Sequence, residues 1–192
     1  LLAPLLGGSS VKPYQPKGYY QHLNFPTREY EADKGRHQHR RGLYTHWQRG
    51  FLHPMLKAFD APSREEGTAS RTLSNTPLAA LTLLNDPSFT EAARSFAQRI
   101  QAVEKASTED RIRWAWQETL SRQPTEQEVQ ALSGLFERER NAFLQAPDIA
   151  RQWMASSFTP EQAFDDSTLS QQAAWITIAR ALFNLHETIT RY

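Results

Sequence analysis

The feature that most limits the fold is a regular spacing of apolar residues that begins near residue 75. Phe89, Ala93, Phe96 and Ile100 recur every three or four residues, which places them on one face of an α-helix. Helix-start signals precede each such stretch. Ser, Thr, Asp and Asn can cap the first turn of a helix, and Pro suits the first helical position. These signals are Asn75 or Thr76 before Pro77, Asp86 before Pro87, Ser107 with Asp110, Thr125 with Glu128, and Pro147. No stretch shows a convincing strand pattern, so the sequence predicts an all-α fold.

The last long helix is predicted to begin near Leu169 and to carry two apolar stripes. One stripe holds Leu169, Ala173, Ile176 and Phe183, and the other holds Trp175, Ile178, Leu182 and Leu185. A helix that is apolar on nearly all sides is buried on most of them. We therefore expect this helix to be the central element of the bundle, with Trp175 and Ile178 buried.

The first 75 residues follow a different pattern. They are rich in Pro, Gly, Tyr and His and show no sustained periodicity, which is typical of loops. Short helices are predicted at residues 54–59, where Pro54 would occupy the first turn, and at residues 43–49. A long irregular segment is unusual inside a compact domain. It is either a functional loop system or an extension that packs on a neighbouring domain.

The expected architecture is an irregular helical bundle of about five to seven helices with a long loop-rich N-terminal segment. Residues 1–75 would form an extended segment packed on the bundle, and residues 76–192 would form the bundle, the two making one structural domain. A chain of 192 residues is long enough for one domain with a sizeable core. Because the chain begins at Leu1 without an initiator methionine, we expect it to be a piece of a longer protein.

Composition excludes several kinds of site. The chain has no cysteine, which excludes disulfides, zinc–cysteine sites and iron–sulfur clusters. The Cys-x-x-Cys-His motif for covalent haem attachment is likewise absent. We expect no cofactor within this chain, so that any haem would lie in a domain outside it. No apolar run approaches the ~20 residues that a membrane span needs.

Charge is unevenly distributed along the chain. Residues 1–71 hold 11 basic and 6 acidic residues, a net charge of +5, whereas residues 72–192 hold 11 and 15, a net charge of −4. A mildly basic, aromatic first third could attract an acidic partner. The excess is small beside the clustered basic patches of nucleic-acid binders. We therefore expect no nucleic-acid partner.

The histidines of the first third raise the question of a metal site. His37, His39, His46 and His53 lie within 17 residues of one another, and imidazole is a good ligand for zinc, copper and iron. Their spacing matches no established metal motif. Arginines alternate with them, and positive charge opposes a bound cation. We expect no structural metal at these histidines.

A second candidate site combines arginines, aromatic rings and carboxylates. Its members are Arg41, Tyr44, Trp47, Asp60, Arg64, Glu65 and Arg71. The guanidinium fork binds carboxylates and sulfates and stacks on aromatic rings, so the set could bind a sulfated or carboxylated sugar. A carboxylate such as Asp60 could also serve acid–base chemistry.

The alternative for the same residues is structural. Irregular loops have backbone carbonyls that no ladder satisfies, and arginines can donate to them. Arg41 and Arg71 are our choices for these pinning residues, with Asp60 and Glu65 as acceptors. Asp60 could equally end a helix, and Asp86 is expected to cap one.

Several short motifs, taken together, resemble one family. They are residues 8–16 (GSSVKPYQP), 23–27 (LNFPT), 33–35 (DKG), 35–49 with 58–62, 74–87 (SNTPLAALTLLNDP), 122–126 (RQPTE) and 184–191 (NLHETITR). Their order resembles the domain of unknown function 1553. This domain is found at the C-terminal end of planctomycete-type proteins that often also carry a cytochrome c domain.

The resemblance implies a location and two possible roles. The parent protein would be exported, which places the chain in the periplasm or outside the cell. In the first role, the chain is a non-catalytic helical module that docks to upstream domains of a cytochrome-linked redox protein. In the second, it contributes to carbohydrate binding or polysaccharide catalysis through a loop face lined by Arg, Asp and Glu, with anionic polysaccharide as a possible partner.

Overall fold

The computed structural model describes residues 8–20, 29–35, 40–48, 50–70, 75–104, 106–154 and 165–189. Within these ranges there are eight α-helices, a 3-10 turn at Gly42–Tyr44 and two isolated β-bridges. The helices are α1 (Pro54–Ala58), α2 (Pro77–Asn85), α3 (Pro87–Gln101), α4 (Thr108–Leu120), α5 (Glu126–Gln145), α6 (Pro147–Met154), α7 (Asp166–Phe183) and α8 (His186–Ile189). The predicted all-α fold is confirmed.

The chain forms two compact units, Leu1–Ser88 and Phe89–Tyr192. The first contains the loop-rich segment with α1 and α2. The second contains nearly all of α3 and the five helices that follow it. The predicted packing of the loop-rich segment on the bundle stays a prediction.

Helices α1 to α6 begin where the sequence predicts. The Thr76 side chain accepts a hydrogen bond from the amide of Ala79 at the start of α2, and Asp86 accepts one from the Ser88 amide beside α3. Two starts form reciprocal capping boxes, Ser107 with Asp110 at α4 and Thr125 with Glu128 at α5. Each cap satisfies amide groups that the first turn of a helix leaves without an internal partner.

Helix α7 is the centre of the second unit, as predicted. Trp175 and Ile178 are fully buried, and the Trp175 ring centroid lies 4.4 Å from that of Phe136 on α5. The buried cluster around them draws on α3, α4, α5 and α7: Ala93, Phe96, Ala97, Ile100, Ile112, Ala115, Trp116, Val129, Phe136, Ala174, Trp175, Ile176, Ile178, Ala179, Leu182 and Phe183. Helix α7 begins at Asp166 rather than near Leu169, because the Asp165 side chain caps it by accepting from the Thr168 amide.

A three-membered ion-pair network fixes the end of the second unit. Arg122, which follows α4, lies 2.7 Å from the carboxylate of Glu128 and 2.7 Å from that of Glu187 on α8. Its guanidinium also lies over the Trp116 ring at 4.9 Å. The hydrogen bonds from Arg122 are the main reason that the pKa of Glu128 falls to about 2. The network therefore ties α8 to the junction between α4 and α5.

The first unit is held mainly by contacts between loops. Val11 and Thr45 form a parallel bridge: the Val11 amide donates to the Tyr44 carbonyl at 2.8 Å, and the His46 amide donates to the Val11 carbonyl at 2.7 Å. Thr45 has extended backbone with ψ of 132°. The helix predicted for residues 43–49 is therefore wrong: within the described residues 40–48 only the 3-10 turn forms, because Thr45 leaves helical geometry to make the bridge.

Candidate functional site

Arg40 fixes the loops on either side of the bridge. Its side chain is buried, and its Nη1 donates to the Ser9 carbonyl at 3.0 Å. The guanidinium also lies 3.9 Å from the centroid of the Tyr44 ring. Gly8 has φ of +93°, a left-handed conformation that favours glycine, and a Cβ there would lie 3.5 Å from Nη1 of Arg40. Arg40 thus has the pinning role that the sequence predicts for Arg41 and Arg71.

Aromatic side chains form the centre of the first unit. Tyr20 lies edge-on to Tyr30 and Phe51, with ring centroids 5.5 and 5.6 Å away, and Tyr19 lies edge-on to Phe51 at 5.3 Å. The hydroxyl groups are also fixed, since Tyr19 donates to the Leu52 carbonyl at 3.0 Å and Tyr30 to the Pro13 carbonyl at 2.5 Å. Burial raises the pKa of both tyrosines. This cluster joins Pro13, Tyr19, Tyr20 and Tyr30 to Phe51 and Leu52.

His53 links the aromatic cluster to α1. Its Nδ1 accepts from the Met55 amide at 3.3 Å, so it caps the helix. Its ring lies 6.1 Å from that of Tyr30, and the residue is buried. Burial lowers the pKa of His53, and backbone hydrogen bonding to Pro13 and Tyr14 partly opposes that shift. The neutral imidazole is therefore structural here.

The lowered pKa of His53 gives an expected pH dependence. An unfolded histidine has a pKa of about 6.5. Between that value and the lower folded pKa, the unfolded chain binds a proton that the folded chain does not. The stabilisation is therefore complete above pH ~6.5 and decreases as the pH falls toward the folded pKa. Urea unfolding of the first unit at a series of pH values would measure this loss.

His53→Asn is the matched variant for this measurement. Asparagine is a good helix cap but does not titrate, so the stability difference between wild type and variant should shrink as the pH falls below ~6.5. A difference that stays constant across this range would show that His53 does not titrate as its burial requires.

An open cleft lies beside the aromatic cluster and α1. Its volume is about 380 Å³, and it is lined by Tyr19, Gly50, Phe51, Leu52, Lys57, Ala61 and Ser63. This volume lies near the lower end of the ~300–1,000 Å³ typical of small-molecule sites. The lining combines aromatic rings with one cationic and one hydroxyl side chain, so the cleft can accept a small ligand that has both apolar and polar faces.

Glu65 stands at the edge of the cleft, and Arg64 packs on Trp47. A Cβ atom at Gly50 would lie 3.6 Å from Oε1 of Glu65, so this carboxylate stands beside the Gly50 backbone at the edge of the cleft. Arg64 has its guanidinium 4.0 Å from the centroid of the Trp47 ring. The structure thus brings Trp47 and Arg64 together, and places Glu65 next to a lining residue.

Asp60 ends α1. The Asp60 amide donates to the Lys57 carbonyl, and the Ala61 amide donates to the Leu56 carbonyl at 2.9 Å, which is the pair of bonds in a Schellman motif. Asp60 has φ of 54°, the left-handed position where glycine is usual. The alternative that Asp60 ends a helix is therefore confirmed, and it also shapes the turn that carries Ala61 and Ser63 into the cleft.

The remaining predicted residues lie elsewhere. Arg41 is exposed and precedes the 3-10 turn. Tyr44 lies under Arg40, and neither Arg41 nor Tyr44 lines the cleft. Arg71 lies outside the described residues. The assignment of these residues to a binding site stays a prediction.

Tyr19, Phe51 and Lys57 line the cleft, and none of them belongs to the predicted set. Tyr19 and Phe51 are 32 positions apart in sequence, so no local spacing relates them. Lys57 lies in the last turn of α1, where a basic residue is explained by the helix dipole alone. Only the tertiary contact between the loop that contains Tyr19 and the loop that contains Phe51 shows that these residues are neighbours.

Neither a metal-binding cluster nor a membrane-spanning helix is present in the described ranges. There, no group of three or more His, Asp or Glu side chains could hold a metal ion. His37 and His39 lie outside these ranges, so the expectation about a metal stays a prediction. None of the described helices is long and apolar enough to cross a membrane.

The comparison with known families agrees with the motifs. The sequence profile of PSD1, described as a protein of unknown function (DUF1553), matches residues 1–136. The chain belongs to this family. The match includes the cleft and continues through the first half of α5. No curated protein and no solved structure matched the chain in these comparisons. The family description assigns no activity, so the function must be argued from the molecule itself.

Proposed function

We propose that this chain is a non-catalytic helical module that docks to upstream domains of a longer protein, through the outer face of α2. By the family resemblance, that protein is an exported, cytochrome-linked redox protein, periplasmic or extracellular. Any haem lies in one of its other domains.

The observation that carries this proposal is the exposed apolar face of α2. Leu78 and Leu81 are 57% and 53% exposed, whereas Ala79 and Leu83 of the same helix are buried. Residues three apart lie on the same side of a helix, so the two leucines form one apolar strip. A helix that is apolar on both sides is typical of a helix covered on both sides. Docking of another domain would remove this strip from water.

The 3-10 turn offers a second exposed apolar group in the same unit. Leu43 is 70% exposed, and the exposed Arg41 lies two positions before it. Protein interfaces usually have an apolar core and a polar rim, and arginine is enriched in them. These residues are the second contact that we assign to the docking surface.

The test uses the full parent protein divided into two chains, the upstream domains and this chain. We expect them to associate in calorimetry or sedimentation, and Leu78→Asp with Leu81→Asp to weaken that association at least tenfold. The reason is that each charged side chain would have to be desolvated in the interface.

Ile149→Asp is the control, because Ile149 is 56% exposed on α6 and lies in the second unit. It should leave the association unchanged. Absence of association between the wild-type chains, or equal weakening by the control, would reject docking through α2.

The cleft supports a second function, the binding of carbohydrate by the loop face. Its aromatic lining and the neighbouring Glu65 and Arg64 are groups that saccharide sites use, since sugars present an apolar C–H face as well as hydroxyl groups. Anionic polysaccharide is the partner that the sequence suggests for this face. Titration with a neutral and a sulfated saccharide distinguishes the possible ligands.

A further inference from the structure

We infer that the cleft of the first unit binds a neutral saccharide unit rather than a sulfated one. This inference rests on the second function proposed above, carbohydrate binding, and does not depend on docking through α2. It is carried by the mixed charge and the aromatic lining of the cleft.

Arg64, an arginine of the predicted set, is engaged in packing. Its guanidinium lies over the Trp47 ring at 4.0 Å from the centroid. A sulfate group would have to compete with this contact for the guanidinium fork.

The cleft itself has mixed charge. Lys57 is the cationic residue of the lining, and the Glu65 carboxylate stands beside Gly50 at the edge. A highly anionic ligand would gain from Lys57 but would be repelled by Glu65. A hydroxyl group can accept from an ammonium and donate to a carboxylate. Paired charges of opposite sign next to a cleft therefore favour a polyhydroxylated neutral ligand.

Two aromatic rings supply the apolar part of the site. Phe51 and Tyr19 lie edge-on to each other with centroids 5.3 Å apart, and both line the cleft. The Tyr19 hydroxyl donates to the Leu52 carbonyl at 3.0 Å, which fixes the ring in place. The C–H face of a pyranose can pack on such a ring, because this burial removes apolar surface from water.

The backbone around the cleft is already shaped by left-handed residues. Gly50, Asp60 and Arg64 have φ values of 70°, 54° and 63°. Asp60 and Arg64 adopt a conformation that is unfavourable for L-residues other than glycine. The turns that present Ala61 and Ser63 are therefore held by surrounding contacts before any ligand arrives. A preformed site binds with less ordering of loops.

The experiment is an amide NMR titration of the full chain with cellotriose, maltotriose, mannotriose and a sulfated chondroitin disaccharide. We expect at least one neutral trisaccharide to shift the amides of Gly50, Phe51, Leu52, Ala61 and Ser63, with the sulfated disaccharide at least tenfold weaker. Shifts caused by the sulfated disaccharide alone would overturn the neutral specificity and keep carbohydrate binding. No shift of these amides by any of the four saccharides would overturn both.

Two variants locate the binding. Lys57→Ala changes an exposed lining residue. It should weaken binding of the neutral saccharide at least fivefold and leave the melting temperature unchanged. Lys34→Ala, also exposed but outside the lining, should bind like wild type. Equal weakening by both variants would reject the cleft as the site. If the Phe51→Leu variant folds, it should abolish the amide shifts. If it does not fold, the comparison of Lys57→Ala with Lys34→Ala still shows whether the saccharide binds in the cleft.

Discussion

Replacing Trp175 with alanine is expected to lower the free energy of unfolding of the second unit by about 3–5 kcal/mol. Trp175 is fully buried in the middle of α7, and its ring packs against Phe136 at 4.4 Å between centroids. Truncation removes the transfer free energy of a large aromatic group and leaves a cavity between α5 and α7. Those two helices form the main contact of the unit, so they cannot close the gap without losing other packing.

Urea unfolding followed by far-UV circular dichroism measures this loss without relying on the fluorescence of the residue that is removed. Leu144→Ala is the control, since Leu144 lies on α5 but is 41% exposed, and it should cost far less stability, about 1 kcal/mol or less. A loss below about 1 kcal/mol for Trp175→Ala would mean that α7 is not the centre of this unit.

Arg40→Ala is expected to destabilise the first unit by about 1–3 kcal/mol, from the lost hydrogen bond to Ser9 and the lost stacking on Tyr44. The effect should be local to the bridge that joins Val11 to Thr45. Native-state hydrogen exchange of the Val11 and His46 amides, which make the two bridge bonds, reports it directly. We expect their exchange to accelerate roughly tenfold to a hundredfold, because each ~1.4 kcal/mol of lost opening free energy raises the opening equilibrium constant tenfold.

Two further variants separate the effect of the planar Arg40 guanidinium from the effect of its positive charge. Arg40→Lys keeps the charge but loses the planar fork, so it should recover only part of the protection. Arg41→Ala removes an exposed neighbour and should leave both amides protected. Protection that is lost equally in the Arg40 and Arg41 variants would assign the effect to net charge rather than to pinning.

The helices of this protein could be predicted from the sequence because their signals are local. A cap and its partner are three residues apart, as with Thr125 and Glu128, and apolar stripes repeat within one helix. Even the burial of Trp175 follows from two stripes on a single helix. These features need no knowledge of which distant segments meet.

The candidate site could be predicted only in part, because it depends on segments that are far apart in sequence. The pattern of arginines and aromatic residues named groups that can stack, but no local spacing pairs Arg64 with Trp47, on which it lies in the structure. It could not show that Arg40, rather than its neighbour Arg41, turns inward to the Ser9 carbonyl. That choice depends on where residues 8–10 lie, and the same holds for Tyr19 and Phe51 in the cleft.

The loop-to-loop bonds of the first unit have a consequence for the order of folding. Ser10, Tyr19 and Arg40 bond to groups 34, 33 and 31 positions away, so the chain must close large loops before any of these bonds form. Loop closure loses chain entropy with no compensating contact until the ends meet, whereas a helical turn forms from neighbouring residues. Helices α1 and α2 are therefore expected to appear early in refolding, and protection of the Val11 amide late, as pulsed hydrogen exchange would resolve.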